Sequence, residues 1–181
     1  MLWLLLLACV ADEPSGMDTA PPPELTQASA EDSVTTAIGA VDQGYACRTG
    51  YHYVLTDEGH LRSTYRLVAS VRDVQTDPSD PPEAGDRVEV DVRDHSVLLV
   101  EGSCVYAPGC TDNVVVDCDQ DLDRRWVGTG GTLVLEHTPS GVTGEIVDLE
   151  LTEANAQLAP RDGGATVYLP TVALPEQAYW E

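Results

Sequence analysis

Alternation of apolar and polar residues dominates the middle and the carboxyl-terminal half of the chain. Between residues 86 and 93 it is regular, with Val88, Val90 and Val92 on one face of a strand. A period of two is typical of a half-buried β-strand. Similar runs, separated by turn residues, predict about eight strands: 45–56, 63–75, 86–93, 96–101, 113–117, 131–137, 142–153 and 165–174.

Turn residues between these runs predict how the strands are joined. A Gly-containing DEGH segment separates the first two runs, and Asp94-His95 separates 86–93 from 96–101, so each pair predicts a β-hairpin. A third hairpin is predicted around the segment TPSG at 138–141, where Pro and Gly suit a type I turn. Pro170 confines the last strand to a sheet edge or a strand end.

These elements predict an all-β protein: an antiparallel β-sandwich of about eight strands, with a small β-barrel as the alternative. Within 142–153, the alternation places Val147, Leu149 and Leu151 on one face and Asp148, Glu150 and Thr152 on the other. A chain of 181 residues is expected to form a single domain, here residues 41–181.

The first 40 residues have a different composition. Residues 10–40 are rich in Ala, Asp, Glu, Pro, Ser and Thr and show no sustained period of 2 or 3.6. Such a segment cannot bury enough apolar surface to offset the entropy of ordering it, so a disordered amino-terminal tether is predicted. The apolar run before it, Leu2 to Ala8, is far shorter than the ~20 residues needed to span a bilayer.

The segment Leu6-Leu7-Ala8-Cys9 resembles the lipobox of bacterial lipoproteins. In that family a cysteine thiol receives a diacylglycerol, the leader before it is removed, and the new amino terminus is acylated. The resemblance implies a signal peptide at 1–8, lipidation of Cys9, a spacer over 9–40 and an envelope location. Because Val10 follows the cysteine and not Asp, it implies the outer membrane, facing the periplasm or the cell surface.

Two further observations bear on the lipoprotein interpretation. The carboxyl half, roughly residues 129–174, resembles small β-rich lipoproteins of Gram-negative bacteria with GC-rich genomes; this resemblance implies a β-rich surface lipoprotein and carries no known catalytic residues. The alternative interpretation of the amino terminus is that Leu2 to Ala8 is a buried strand or helix and Cys9 an ordinary thiol.

With Cys9 assigned to lipid, an even number of cysteines remains, and in an exported chain this predicts two disulfides. Four cysteines allow three pairings. The short turn VYAPG favours Cys104 with Cys110, and this leaves Cys47 for Cys118.

The net charge of −22 comes from 31 acidic and nine basic residues, so nucleic acid and anionic lipid headgroups are not expected as partners. The most acidic segment, DNVVVDCDQDLDRR, could direct alternate carboxylates at one calcium ion. Leu122 stands where an EF-hand loop has Gly, which favours the alternative of a solvated acidic loop. The candidate calcium ligands are Asp112, Asp117, Asp119, Asp121 and Asp123.

The sequence carries no motif of a hydrolase nucleophile, a zinc protease or a nucleotide-binding loop. The histidines are interpreted as half-exposed strand or turn residues: His52, His60, His95 and His137. A set of aromatic residues could line a carbohydrate or protein site: Tyr51, Tyr53, Tyr65, Trp126, Tyr179 and Trp180. Trp180, near the end of the chain, is expected to be exposed.

The sequence therefore predicts a lipid-anchored envelope protein that is not an enzyme and acts as a binding or structural module. Its partners would be the membrane, through the lipid, and an envelope protein or a glycan. No cofactor is expected unless the acidic segment binds calcium. The alternative is a calcium-dependent carbohydrate-binding module or an envelope hydrolase.

Overall fold

The computed structural model describes residues 26–47, 51–57, 62–71, 82–94, 96–105, 117–118, 124–155 and 157–180. These residues form one helix, α1 (Gln27–Ala40), and nine strands: β1 (Gln43–Ala46), β2 (Tyr51–Thr56), β3 (Arg62–Val71), β4 (Arg87–Asp91), β5 (Ser96–Val105), β6 (Asp117–Cys118), β7 (Arg124–His137), β8 (Gly141–Glu153) and β9 (Thr166–Ala178). The predicted all-β class is confirmed. The lipobox segment and most of the predicted strand at 113–117 lie outside the described residues.

The nine described strands belong to one antiparallel sheet in the order β1-β2-β3-β5-β7-β8-β9. Strand β4 pairs with β7 beside β5, and the two residues of β6 pair with β5. The sheet curls into a half-barrel, so the arrangement corresponds to the barrel alternative more closely than to two packed sheets. At one end the sheet closes, because Ala46 in β1 bridges Tyr179 and its carbonyl accepts the N–H of Trp180 at 2.9 Å.

Two of the predicted connections differ from the structure. The run 45–56 forms two antiparallel strands, because the chain reverses between Ala46 and Tyr51. The hairpin predicted between 86–93 and 96–101 is wrong, since β4 and β5 both pair with β7. A 3-10 turn, Val92–Asp94, carries the chain onward from β4 to β5 in the same direction.

The other connections agree with the prediction. The β2–β3 and β7–β8 hairpins are confirmed. Strand β9, which contains Pro170, is the last strand of the sheet path, as the proline predicted. At residues 87–91 the observed strand also keeps the predicted faces, because Val88 and Val90 pack against the core while Glu89 is exposed.

Large apolar side chains fill the interior of the half-barrel. Those that are completely or almost completely buried are Tyr53, Leu55, Leu67, Leu99, Trp126, Leu133, Leu135, Ile146, Leu149, Leu151 and Leu174. Complete burial of one such side chain stabilises a fold by roughly 1.5–3 kcal/mol. The interior is therefore the main source of stability of this domain.

Helix α1 corrects the predicted spacer, which extended to residue 40. Ala30, Val34 and Ala37 recur at helical spacing and are completely buried in the core. The helix packs against β3 and β9, two strands that are far apart in the sheet path, so it bridges the open side of the half-barrel. Thr26 caps its amino terminus by accepting the N–H of Ser29 at 3.2 Å. In the part of the chain that the structure describes, no helix is both long and apolar enough to cross a membrane.

Candidate recognition surface

The residues of the predicted lipid and calcium sites fall almost entirely outside the described ranges. Cys9, Cys110, Asp112, Asp119, Asp121 and Asp123 are not described, and Asp117 is described only as backbone in β6. Among the described residues, no group of three or more His, Cys, Asp or Glu side chains is placed to hold a metal. Lipidation of Cys9 and calcium binding therefore stay predictions.

Strand register constrains how the cysteines can pair. The Cα atom of Cys104 in β5 lies opposite that of Cys118 in β6. Cys47, the residue after β1, donates its backbone N–H to the carbonyl of His52 at 3.0 Å. His52 in β2 pairs with Ser70 in β3, and Ser70 pairs with Ser96 in β5. Measured along the strands, Cys47 therefore lies at the same position as Ser96.

Ser96 precedes Cys104 by eight residues, which corresponds to about 26 Å along a strand. A disulfide requires its two Cα atoms within about 7 Å. The predicted pairing of Cys47 with Cys118 does not fit this register. The register instead favours Cys104 with Cys118, which would leave Cys110 for Cys47.

The aromatic residues named from the sequence do not form one site. Tyr53 and Trp126 are completely buried in the core, and Tyr51 is buried beside them. Trp180 is 39 % exposed, as predicted, and its ring lies 5.7 Å from that of Tyr45, measured between ring centroids.

His137 is completely buried, so the prediction of a half-exposed residue is wrong. It occupies the same inward-facing alternation in β7 as Leu133 and Leu135. Its Nδ1 atom lies 2.8 Å from the hydroxyl of Tyr179, which donates to the carbonyl of Thr138 at 3.1 Å. These bonds fasten the end of the chain to the closed end of the half-barrel, which is a structural role.

Glu101 is the half-buried carboxylate at which α1 meets the barrel. Its Oε1 accepts the indole N–H of Trp126 at 2.7 Å, and its Oε2 accepts the hydroxyl of Ser33 at 2.5 Å. Both oxygens are therefore engaged in bonds between elements of the fold. This group also serves structure.

A surface that the sequence analysis did not identify lies on the outer side of β7, β8 and β9. Tyr168 is 59 % exposed, and its hydroxyl donates to Oδ1 of Asp148 at 2.5 Å. Glu150 stands directly opposite Tyr168 in the β8–β9 ladder and is exposed as well. We define the Tyr168 face as Thr129, Asp148, Glu150, Thr152, Thr166 and Tyr168.

An irregularity in β8 gives this face its shape. Asp148 has φ 53°, in the left-handed region, and the pairing with β7 shifts register on either side of Gly130. Gly131, with φ 114°, allows the close approach, because a Cβ there would lie 2.8 Å from the carbonyl oxygens of Val147 and Asp148. The predicted alternation fails at this point: Val147 is half-exposed and does not join the core, whereas Leu149 and Leu151 do. Bulges of this kind redirect side chains.

Hydroxyl groups extend the face across three strands. Thr129 donates to Oε1 of Glu150 at 3.1 Å, and its hydroxyl lies 3.0 Å from that of Thr152, which is 3.3 Å from that of Thr166. The hydrogen bond to Asp148, with a smaller effect of burial, raises the pKa of Tyr168. The phenol therefore stays neutral and remains a donor. Alternation in β9, with Val167 buried, is the sequence signal that could have placed Tyr168 on the outside.

No family model matches this chain, and neither does a curated protein or a solved structure. Inside the barrel, Glu101 and His137 are used for hydrogen bonds between elements. On the outside, the Tyr168 face combines a tyrosine, three threonine hydroxyls and two carboxylates.

Proposed function

We propose that this chain is a non-catalytic binding module of the bacterial cell envelope, attached by a lipid on Cys9. In this proposal the folded domain binds its partner through the Tyr168 face. The lipobox-like segment ending at Cys9 supports the anchor, together with the change to polar, proline-containing sequence directly after it.

The packed interior is the observation that carries the binding role. Ligand sites for small molecules are usually concave and partly empty, and β-barrels that hold ligands keep them inside. Here Tyr53 and Trp126 occupy the interior together with a layer of leucines, all of them buried. This arrangement supports binding of a partner on the outer surface of the half-barrel and not in its interior.

The Tyr168 face is suited to that role because its ring is held in place before a partner arrives. The bond from the Tyr168 hydroxyl to Asp148 restricts the ring, and the strands beneath it, β7, β8 and β9, are paired with one another. A side chain that is already ordered loses less conformational entropy on binding. Tyrosine is also enriched at protein interfaces, where its ring contacts apolar groups and its hydroxyl stays hydrated.

Acylation is tested by incorporation of labelled palmitate in the producing cells, followed by fractionation of their membranes. We expect the native chain to be labelled and recovered with the outer membrane, and Cys9→Ala to lose both label and membrane association. Val10→Asp is the matched control: it should keep the label while shifting the protein toward the inner membrane. A native chain without label and outside the membrane fraction would contradict the proposed anchor.

A further inference from the structure

We propose that the Tyr168 face binds a basic polypeptide segment, with an Arg or Lys side chain placed against the ring of Tyr168. This inference rests on the proposed binding role of the face and adds the chemistry of its partner. Three properties of the face support it: the exposed ring of Tyr168, the carboxylates beside it, and its extent over three neighbouring strands.

The ring of Tyr168 is accessible and electron-rich. With 59 % of the residue exposed, a cation can approach the ring, and cations are attracted to the negative face of an aromatic ring. The hydroxyl donates to the Asp148 carboxylate, which pushes electron density into the ring and strengthens that attraction. A tyrosine in this setting is a better partner for a guanidinium or ammonium group than for an anion.

The charges around the ring favour the same partner. Glu150 lies opposite Tyr168 in the ladder, and Glu145 is exposed further along β8. Arg161 forms an ion pair with Glu153 at 3.1 Å, and together these two residues carry no net charge. With a net charge of −22, the whole chain also attracts cations from a distance.

The shape of the face favours an extended chain over a single small ion. Its hydroxyls and carboxylates lie side by side on three neighbouring strands, from Thr129 in β7 to Thr166 in β9. A polypeptide lying across these strands could place a basic side chain on Tyr168 and donate backbone or side-chain hydrogen bonds to Glu150. Such combined contacts provide specificity that long-range attraction lacks.

The test is titration of a fluorescent (Arg-Lys)3 peptide with the purified full chain at about 0.15 M salt, where exposed charges are screened beyond about 8 Å. Tyr168→Leu keeps an apolar side chain but removes the ring, and we expect about fivefold weaker binding. We expect a similar loss for Glu150→Gln. Circular dichroism and thermal unfolding of each variant establish that the fold is retained.

Glu136→Gln is the matched control, since it removes the same charge from the outer side of the sheet. Glu136 pairs with Thr143, which is seven residues, or about 23 Å, from Glu150 along β8. We expect this variant to bind within about twofold of the native chain, because only screened attraction is lost. Equal losses in Glu136→Gln and Glu150→Gln, with no effect of Tyr168→Leu, would overturn the inference.

A glycan array probed with native chain and Tyr168→Leu separates this inference from the proposed function. Glycan binding that depends on Tyr168, without peptide binding that depends on it, would refute the basic partner and retain the binding role of the face. If neither ligand depends on Tyr168, the proposed role of the face fails too. Peptide binding that requires both Tyr168 and Glu150 supports the binding role of the face and the basic partner.

Discussion

The hydroxyl of Ser33 in α1 donates a hydrogen bond to Oε2 of Glu101 in β5 across a sequence separation of 68 residues. The other oxygen of Glu101 accepts the indole N–H of Trp126. Hydrogen bonds to an ionised carboxylate are stronger than those between neutral groups. Helix α1, residues 27–40, is therefore fastened to the barrel and belongs to the folded domain and not to the spacer.

Loss of the Ser33 hydroxyl should loosen the helix. Ser33→Ala leaves one oxygen of Glu101 without this donor, and we expect the free energy of unfolding to fall by about 1–2 kcal/mol. Urea unfolding measures the change. Thr36→Ala, at an exposed position of the same helix, is the control and should alter stability by no more than about 0.5 kcal/mol. Equal effects of the two substitutions would show that the Ser33–Glu101 bond does not hold the helix.

Two glycines should respond to alanine in opposite directions. At Gly131, φ is 114° and an added Cβ would meet two carbonyl oxygens at 2.8 Å, so Gly131→Ala should destabilise the domain by about 1–3 kcal/mol. At Gly39, within α1, nothing lies within 4 Å of an added Cβ, so Gly39→Ala should stabilise it by up to about 1 kcal/mol. Thermal unfolding of both variants checks the pair. A neutral Gly131→Ala would mean that the bulge beneath Tyr168 does not need glycine.

Period-two alternation in the sequence was sufficient to predict most strands and the all-β class, but not their connections. Val88 and Val90 face the core as expected, yet nothing in the residues near 92–94 distinguishes a 3-10 turn from a hairpin. Helix α1 was not predicted, because two of its three fully buried residues are alanines, which contribute little to a hydrophobic pattern.

The candidate site was less predictable than the fold, for a physical reason. The bulge at Asp148 breaks the alternation that sequence reasoning relies on, and it depends on a glycine in the neighbouring strand. Tyr168 could be placed on the outside of β9 from its neighbours, but its bond to Asp148 depends on the β8–β9 register. The burial of His137 could not be predicted from its neighbours in the sequence, because Tyr179, its hydrogen-bond partner, lies 42 residues away.

Acid should remove the stabilisation that the hydrogen bonds between Glu176 and the β7–β8 turn provide. Hydrogen bonds from Ser140 and Thr138, at 2.5 and 2.6 Å, lower the pKa of Glu176 below its usual 4.5. Because the folded-state pKa is depressed, the stabilisation is present above pH 4.5 and is lost as the pH falls through the lowered value.

Urea unfolding of native chain and Glu176→Gln, at neutral pH and in acid, measures this dependence. We expect native chain to be the more stable at neutral pH and the difference to shrink in acid. In a background carrying Thr138→Val and Ser140→Ala, the substitution at Glu176 should have little effect at either pH. A difference that is independent of pH would show that these hydroxyls are not its source.

Peptide mapping without reduction should resolve the disulfides of the exported chain. From the strand register we expect a peptide linking Cys104 to Cys118, and by elimination a second linking Cys47 to Cys110. A linked peptide containing Cys47 and Cys118, or Cys47 and Cys104, would contradict the register that separates these positions by about 26 Å.

Recognition on the outside of a filled half-barrel is the central claim, and carboxyl-group footprinting in the native envelope tests it most directly. Intact membranes and purified chain are treated with a carbodiimide and an amine, and modification of each Asp and Glu is measured by mass spectrometry. We predict that Asp148 and Glu150 are modified less in the envelope than in the purified chain, while Glu136 is modified equally in both. Equal modification of Glu150 in the two preparations, or protection confined to Glu101 inside the barrel, would contradict the account.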